Sequence, residues 1–234
     1  MKTELMIYGM HSIEAALTSK HAKIKHIDCT ENAFETIQKM KGSEKSAIQL
    51  KPIHFFDKNI KHQGVCGLVD LEIYQSLEEI DGYEDFRTIL ILDHLEDPQN
   101  VGSAIRHALG FNVDAVMIPK HKAAPITSVV ASASAGCLFK LPIIQVTSFI
   151  QTLQNLKKQG YGLIGTSVEK SEILTTKVFW PKTAILVGNE GKGHSSAVMK
   201  ECDNLVHIPL SPACQSFNAA VTAALVCYER AKTL

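Results

Sequence analysis

From residue 88 onward, short apolar runs recur without polar alternation, at 88–92, 115–118, 141–146, 161–168, 184–187 and 205–210, separated by segments of helical spacing. A strand with one face in water alternates apolar and polar residues. These runs have no polar face, so they predict a mainly parallel sheet covered by helices on both sides, an α/β architecture. Ligands of such sheets bind beyond the carboxyl ends of the strands, here the loops after Leu92, Val168, Val187 and Leu210. There is no internal repeat or low-complexity tract.

Residues 1–72 read as a separate small α/β domain, with a helix near 11–19, a β-branched run at 24–29, a helix near 31–41 and a strand-like 65–71 after His62-Gln63-Gly64. This domain carries ten Lys, no Arg and nine acids. Residues 73–87 hold Glu78, Glu79, Asp81, Glu84 and Asp85 against Arg87 alone and read as an acidic linker, leaving 88–234 as the main domain. The whole chain balances 24 Lys+Arg against 24 Asp+Glu, which excludes a histone-like binder held by bulk charge but not one with local basic surfaces. Only Arg87, Arg106 and Arg230 are arginines, so the side chain best suited to grip phosphate bidentately is scarce.

The six cysteines stand singly with no C-x-x-C, which points to reduced thiols and to no metal site. The start of the chain, with Glu4 close behind Lys2, does not resemble a secretory leader, and no apolar run approaches the roughly 18 residues of a membrane span. A cytoplasmic protein with no membrane contact is expected.

Three loops carry more than structure. In the first, Asp97 can cap a helix, Pro98 suits its first position and Gly110 its C-terminal end. Val101, Ala104, Ile105, Ala108 and Leu109 make one buried stripe, while Asn100, Ser103 and Arg106 lie off it. That pattern fits a capped surface helix with a solvated Arg; it equally fits an anion site beside a helix start at a strand's carboxyl end. In the second, Gly188, Gly191 and Gly193 surround Glu190 directly after a buried run, and Ser195 or Ser196 can cap the next helix. It is neither a phosphate-binding P-loop nor a dinucleotide fingerprint. In the third, Ile208-Pro209-Leu210 leads through Pro212 to Ser216 and Asn218, either of which can cap a helix over 219–231 whose small face suits core packing or a subunit contact.

Taken in order, these loops resemble the three signature motifs of the SPOUT superfamily, specifically the TrmH-type RNA ribose 2′-O-methyltransferases. The resemblance rests on Asp97-Pro98-x-Asn100-x-Gly102-x-x-x-Arg106, on Gly188-x-Glu190-x-x-Gly193, and on Ile208-Pro209 followed by Ser216-x-Asn218. Tyr8-Gly9-x-His11 and His62-Gln63-Gly64 make the N-terminal segment similar to the substrate-binding domain of the RlmB-like 23S rRNA guanosine methyltransferases. The third motif departs from the usual Ser-Leu-Asn-Val-Ser, because Phe217 stands for Leu and Ala220 for the last Ser.

The resemblance implies a deep C-terminal trefoil knot and a homodimer whose active site is completed across the interface. It also implies S-adenosylmethionine as methyl donor, no metal, and an RNA substrate, rRNA favoured over tRNA. It assigns the cofactor to Thr166, Ser167, Gly188, Asn189, Glu190, Gly193, Ile208, Leu210 and Phe217, and catalysis to Asn100, Arg106, Glu190, Ser216 and Asn218. A guanidinium keeps its proton to above about pH 12, so Arg106 as general base stands beside Arg106 as electrostatic stabiliser of a developing alkoxide. A tRNA enzyme, a non-catalytic RNA-binding adaptor and a nucleotide-dependent oxidoreductase are the competing readings; the last lacks its glycine fingerprint.

Overall fold

The computed structural model describes residues 1–57, 60, 62–168, 171–189 and 191–234. Glu190, expected in both catalysis and cofactor binding, lies outside the described residues. The strands are β1 (Lys2–Tyr8), β2 (Ala22–Cys29), β3 (Ala47–Leu50), β4 (Val65–Tyr74), β5 (Thr88–Asp93), β6 (Ala115–Pro119), β7 (Ile143–Val146), β8 (Gly162–Thr166), β9 (Glu172–Ile173), β10 (Thr183–Gly188) and β11 (Asn204–His207). The helices are α1 (Met10–Leu17), α2 (Glu31–Gln38), α3 (Pro98–Gly110), α4 (Ser128–Ala133), α5 (Phe149–Lys158), α6 (Ser196–Glu201) and α7 (Ala219–Ala231).

The strands join in the order β3-β2-β4-β7-β6-β5-β10-β8-β11-β9, with β1 also paired to β4. Every pairing from β4–β7 to β11–β9 is parallel, as the unbroken apolar runs predict. Along β5 the fully buried residues alternate between two cores. Leu90 and Leu92 join Val101, Ile105 and Val226 on one face, while Ile89 and Ile91 join Leu153, Leu163 and Leu186 on the other. Each such side chain contributes about 1.5–3 kcal/mol on leaving water, which is why this strand has no polar face to give up.

Strand β4 belongs to both halves of the sheet. Residues 65–72 pair antiparallel with β1 and β2, and Ile73 and Tyr74 continue parallel to β7. Beyond them, the stretch expected as a linker buries Leu77 and Ile80 in the core under α5.

The structure corrects one helix end. Gly110 does not stop α3 as a left-handed residue; it is the last residue of the helix, and the chain turns at Asn112, whose φ is +56°. The runs at 161–168 and 205–210 also leave the sheet early, at Thr166 and His207. Pro209 has no N–H to give a ladder, and the residues past both strand ends turn toward a cavity instead.

Candidate active site

A cavity of about 430 Å³ opens at the carboxyl ends of β8, β10 and β11. Thr166, Ser167, Gly188, Asn189, Gly193, Ile208, Leu210 and Phe217 line it, as does Ser216. Val168, His194, Met199, His207, Gln215 and Thr222, none of them among the expected site residues, share the wall. Thr222 was recoverable, since it stands one helical turn after Asn218 on α7.

The loop after β10 is shaped by its glycines and by Asn189. A Cβ at Gly188 would sit 2.8 Å from the Gly193 carbonyl carbon, so only glycine permits the chain to fold back so closely. Asn189 Oδ1 accepts from the Gly191 and Lys192 amides at 3.0 and 3.3 Å, and its Nδ2 donates to the His94 carbonyl at 2.9 Å. The last bond fastens this loop to the one after β5. Ser195 ends the loop by capping α6 through the Val198 amide.

A second tie between the same loops was not anticipated. The buried Asp93 carboxylate lies 2.6 Å from His194 Nδ1, and its other oxygen lies at 2.5 Å from His94 Nδ1. His194 is 7% exposed, and its Nε2 has no hydrogen-bond partner among the described residues. Burial of an anion requires partners, and these two imidazoles are what holds Asp93 inside. No local signal marks the pair, since 101 residues separate Asp93 from His194.

The polar residues expected in catalysis fall in three places. Asn218 caps α7, its Oδ1 accepting from the Ala220 and Val221 amides at 2.9 and 3.4 Å, while its Nδ2 donates to Asn100 Oδ1 at 2.8 Å. That bond joins the first turns of α3 and α7, and Asn218 sits between the cavity-lining Phe217 and Ala219. Ser216 is on the cavity wall itself. Arg106 is exposed on α3, does not line the cavity and forms no ion pair among the described residues. Burial pushes the nearby Cys137 thiol up, against the opposing pull of Lys140 and then of Arg106. Among the described residues no cluster of His, Cys, Asp or Glu could hold a metal ion, and no helix is long and apolar enough to cross a membrane.

A parallel sheet with a ligand cavity at its carboxyl end, floored by a glycine loop and walled by a proline-stiffened strand-to-helix loop, defines a small-molecule-binding α/β protein. The particular kind follows from comparison with known proteins. The chain belongs to the SpoU rRNA Methylase family, whose model matches residues 87–228. It is 34% identical over 97% of its length, and 94% of the other's, to a protein of Staphylococcus saprophyticus assigned to the TrmH family of tRNA/rRNA methyltransferases. Among solved structures, the fold is similar to the SpoU methyltransferase AviRb of Streptomyces viridochromogenes, with TM-score 0.82 and 23% identity, covering 98% of this chain and 89% of that one. It is also similar to an AdoMet-bound rRNA methyltransferase of Sinorhizobium meliloti, with TM-score 0.80 and 20% identity, covering 99% and 88% of the two chains.

Proposed function

We propose that this protein transfers the methyl group of S-adenosylmethionine to a ribose 2′-hydroxyl of RNA, and that the target is a guanosine of 23S rRNA. The observation that carries the reading is the cavity. Eight described residues assigned to the cofactor from sequence all line one space, although they come from three separate loops. Its lining suits the ligand: Val187, Ile208, Leu210 and Phe217 offer apolar contact for an adenine, Thr166, Ser167 and Asn189 offer polar atoms for a ribose and an amino acid, and Gly188 keeps the floor clear.

When bound, the cofactor supplies a methyl already activated on a sulfonium. The chain's own residues would then have to hold the ribose hydroxyl in line with that methyl and stabilise the charge that develops as the hydroxyl proton passes to water, so their task is positioning and charge stabilisation. Alignment of donor and acceptor can account for up to about 7–11 kcal/mol of the barrier. Asn100 and Asn218 fix the two helix starts beside the cavity, and Ser216 is placed to contact the ribose. Arg106 stabilises the developing alkoxide.

Arg106 is exposed and outside its own chain's cavity, which supports a homodimer in which each copy completes the other's site. The outer face of α7 supports this too: Val221 is 41% and Tyr228 50% exposed on a helix whose inner face is already buried. The path from β11 back to α7, which packs on α3 and β10, is where we place the trefoil knot. We assign residues 1–72 to substrate RNA, the linker role to 73–87, methyl transfer to 88–234, and the protein to the cytoplasm.

Calorimetry with S-adenosylmethionine and S-adenosylhomocysteine tests the cofactor; absence of binding removes the reading in favour of an adaptor. Transfer of labelled methyl to rRNA and tRNA from cells lacking the gene, followed by nucleoside mass spectrometry, tests the rest. The expected product is 2′-O-methylguanosine in 23S rRNA; label in tRNA alone moves the assignment to a tRNA enzyme. Co-assembly of Arg106→Ala with a Gly188→Leu chain, whose cofactor loop cannot fold back on Gly193, restores activity that neither has alone if the sites are shared.

A further inference from the structure

His207, the last residue of β11, is outside the expected site residues, yet it lines the cavity. Side chains alternate along a strand, and Val206, 1% exposed, points into the small core of Ile164 and Val178, so the His207 ring stands on the opposite face. There it meets Ser171, whose hydroxyl oxygen lies 2.8 Å from the Ser167 carbonyl oxygen and 3.1 Å from His207 Nδ1. The backbone beneath is pinned on both sides. The Ser167 amide donates to the Val206 carbonyl and the Leu174 amide to the His207 carbonyl, each at 2.9 Å.

Proton counting fixes what this ring can offer. A serine hydroxyl has one hydrogen to give, and a carbonyl can only accept. That hydrogen therefore goes to Ser167, and the Ser171 oxygen must accept from His207 Nδ1–H. In the neutral ring the other nitrogen, Nε2, is left with a lone pair and no proton. It has no hydrogen-bond partner among the described residues, and unlike His194 Nε2 it is not sealed from solvent. His207 is thus a half-buried acceptor held in one orientation on a cavity wall.

We propose that His207 Nε2 accepts a hydrogen bond from the bound cofactor, and that Ser171 is a positioning residue that holds the ring in the accepting tautomer. The inference rests on the reading of the cavity as the S-adenosylmethionine site. That ligand brings an ammonium and two ribose hydroxyls, whose protons need acceptors once water is displaced. Among the described residues of the wall there is no carboxylate. Asn189 already uses its oxygen for the Gly191 and Lys192 amides, and His194 gives Nδ1 to Asp93 and buries Nε2. His207 is the ring with an acceptor still open. Its neighbour Val206 pairs with Thr166, which places His207 at the polar end of the cavity, beside the residues suited to the ribose and the amino acid.

Two substitutions separate the two nitrogens of the ring. An asparagine amide reaches about as far as Nδ1 and a glutamine amide about as far as Nε2. His207→Asn therefore keeps the Ser171 contact and removes the acceptor, and His207→Gln does the reverse. With the full-length protein and isothermal titration calorimetry, we expect His207→Asn to bind S-adenosylmethionine about tenfold more weakly and His207→Gln to stay within about threefold of the wild type. A ring that only braces β11 through Ser171 gives the opposite order, and that order overturns the proposal, as does equal affinity of all three proteins. Ser171→Ala should weaken binding in the wild type and add nothing in His207→Asn; an additive loss overturns the positioning role. Two-bond proton–nitrogen spectra of histidine-labelled wild type at pH 8 should place the His207 proton on Nδ1 and show the Nε2 resonance shifting as S-adenosylmethionine is added. A proton on Nε2 in the free protein overturns the proposal, and this arm needs no variant to fold. Methylthioadenosine keeps the ribose hydroxyls and lacks the ammonium, so weaker binding of it by His207→Asn assigns the donor to the ribose, and unchanged binding assigns it to the ammonium. Failure of the wild type to bind S-adenosylmethionine overturns the cofactor reading itself, whereas tight binding by every variant overturns this inference alone.

Discussion

The bond between Asn218 and Asn100 can be separated from the helix cap that the same side chain provides. Asn218 uses Oδ1 for the Ala220 and Val221 amides and Nδ2 for Asn100. Asn218→Ala removes both functions. Loss of the cap costs about 1 kcal/mol, and loss of an exposed amide hydrogen bond about 0.5 kcal/mol, so the variant should lose about 1.5 kcal/mol. In a chain of this size that lowers the thermal midpoint by roughly 3–6 °C. Asn218→Asp keeps an oxygen for the α7 amides and adds a charge that the helix start favours, but it sets a carboxylate against the Asn100 oxygen in place of a donor. Its midpoint should stay within about 2 °C of the wild type, since the favoured cap offsets the lost bond. If the α3–α7 tie positions the substrate, the two variants should nonetheless lose methyl transfer alike, with S-adenosylmethionine affinity little changed. Differential scanning calorimetry and labelled-methyl transfer on the same preparations give both numbers. Full activity in Asn218→Asp would refute the positioning role, and equal destabilisation of the two variants would refute the separation of cap from tie.

Three further outcomes follow from burial. Burial pushes the thiols of Cys202 and Cys227 up to about 12 and that of Cys66 to about 11, whereas Cys214 is exposed in the loop before α7. Cys214 should therefore react first with Ellman's reagent at pH 8, and S-adenosylmethionine should slow it, because Gln215 to Phe217 line the cavity; a rate indifferent to the cofactor would place the ligand elsewhere. His21, hydrogen-bonded to the Tyr74 hydroxyl at 3.0 Å, has its pKa lowered by burial against the opposing pull of Glu72. The fold prefers the neutral ring, so its contribution is complete above the unfolded pKa of about 6.5 and is lost as pH falls below it. The urea midpoint of the wild type should approach that of His21→Gln between pH 7.5 and 5, and a gap that widens would show the sign to be wrong. Arg230 is 3% exposed and donates to Thr88, Thr233 and the carbonyls of Arg87 and Pro181. Arg230→Met should cost about 3 kcal/mol by stranding those acceptors, read as a midpoint roughly 6–12 °C lower, with cofactor affinity retained in the folded protein.

What could be read from the chain divides by how far apart the interacting residues are. The caps of α3 and α7 were legible because Asp97 and Asn218 satisfy amides two or three residues away. The two-sided sheet was legible because burial on both faces is written separately into β5, β6, β7, β8 and β10. Strand β1 was not, since its buried Leu5 and Ile7 follow Lys2, Thr3 and Glu4 and find their partners in β4 at Val69 and Gly67, far along the chain. The cavity shows both regimes at once. Its glycines and prolines announce themselves locally, but the apolar Val168, Ile208 and Leu210 read as strand because a ligand wall and a buried sheet ask for the same side chains. Only the early ends of β8 and β11 tell them apart. Arg106 marks the limit of single-chain reasoning. Its spacing from Asn100 is fixed by α3, but in the proposed dimer its reach to a reacting oxygen would depend on a surface of the second copy, and helix periodicity carries no record of that. The outward Val221 and Tyr228 on α7 are the nearest thing to such a record, because they leave exposed apolar surface that the second copy of the proposed dimer would cover.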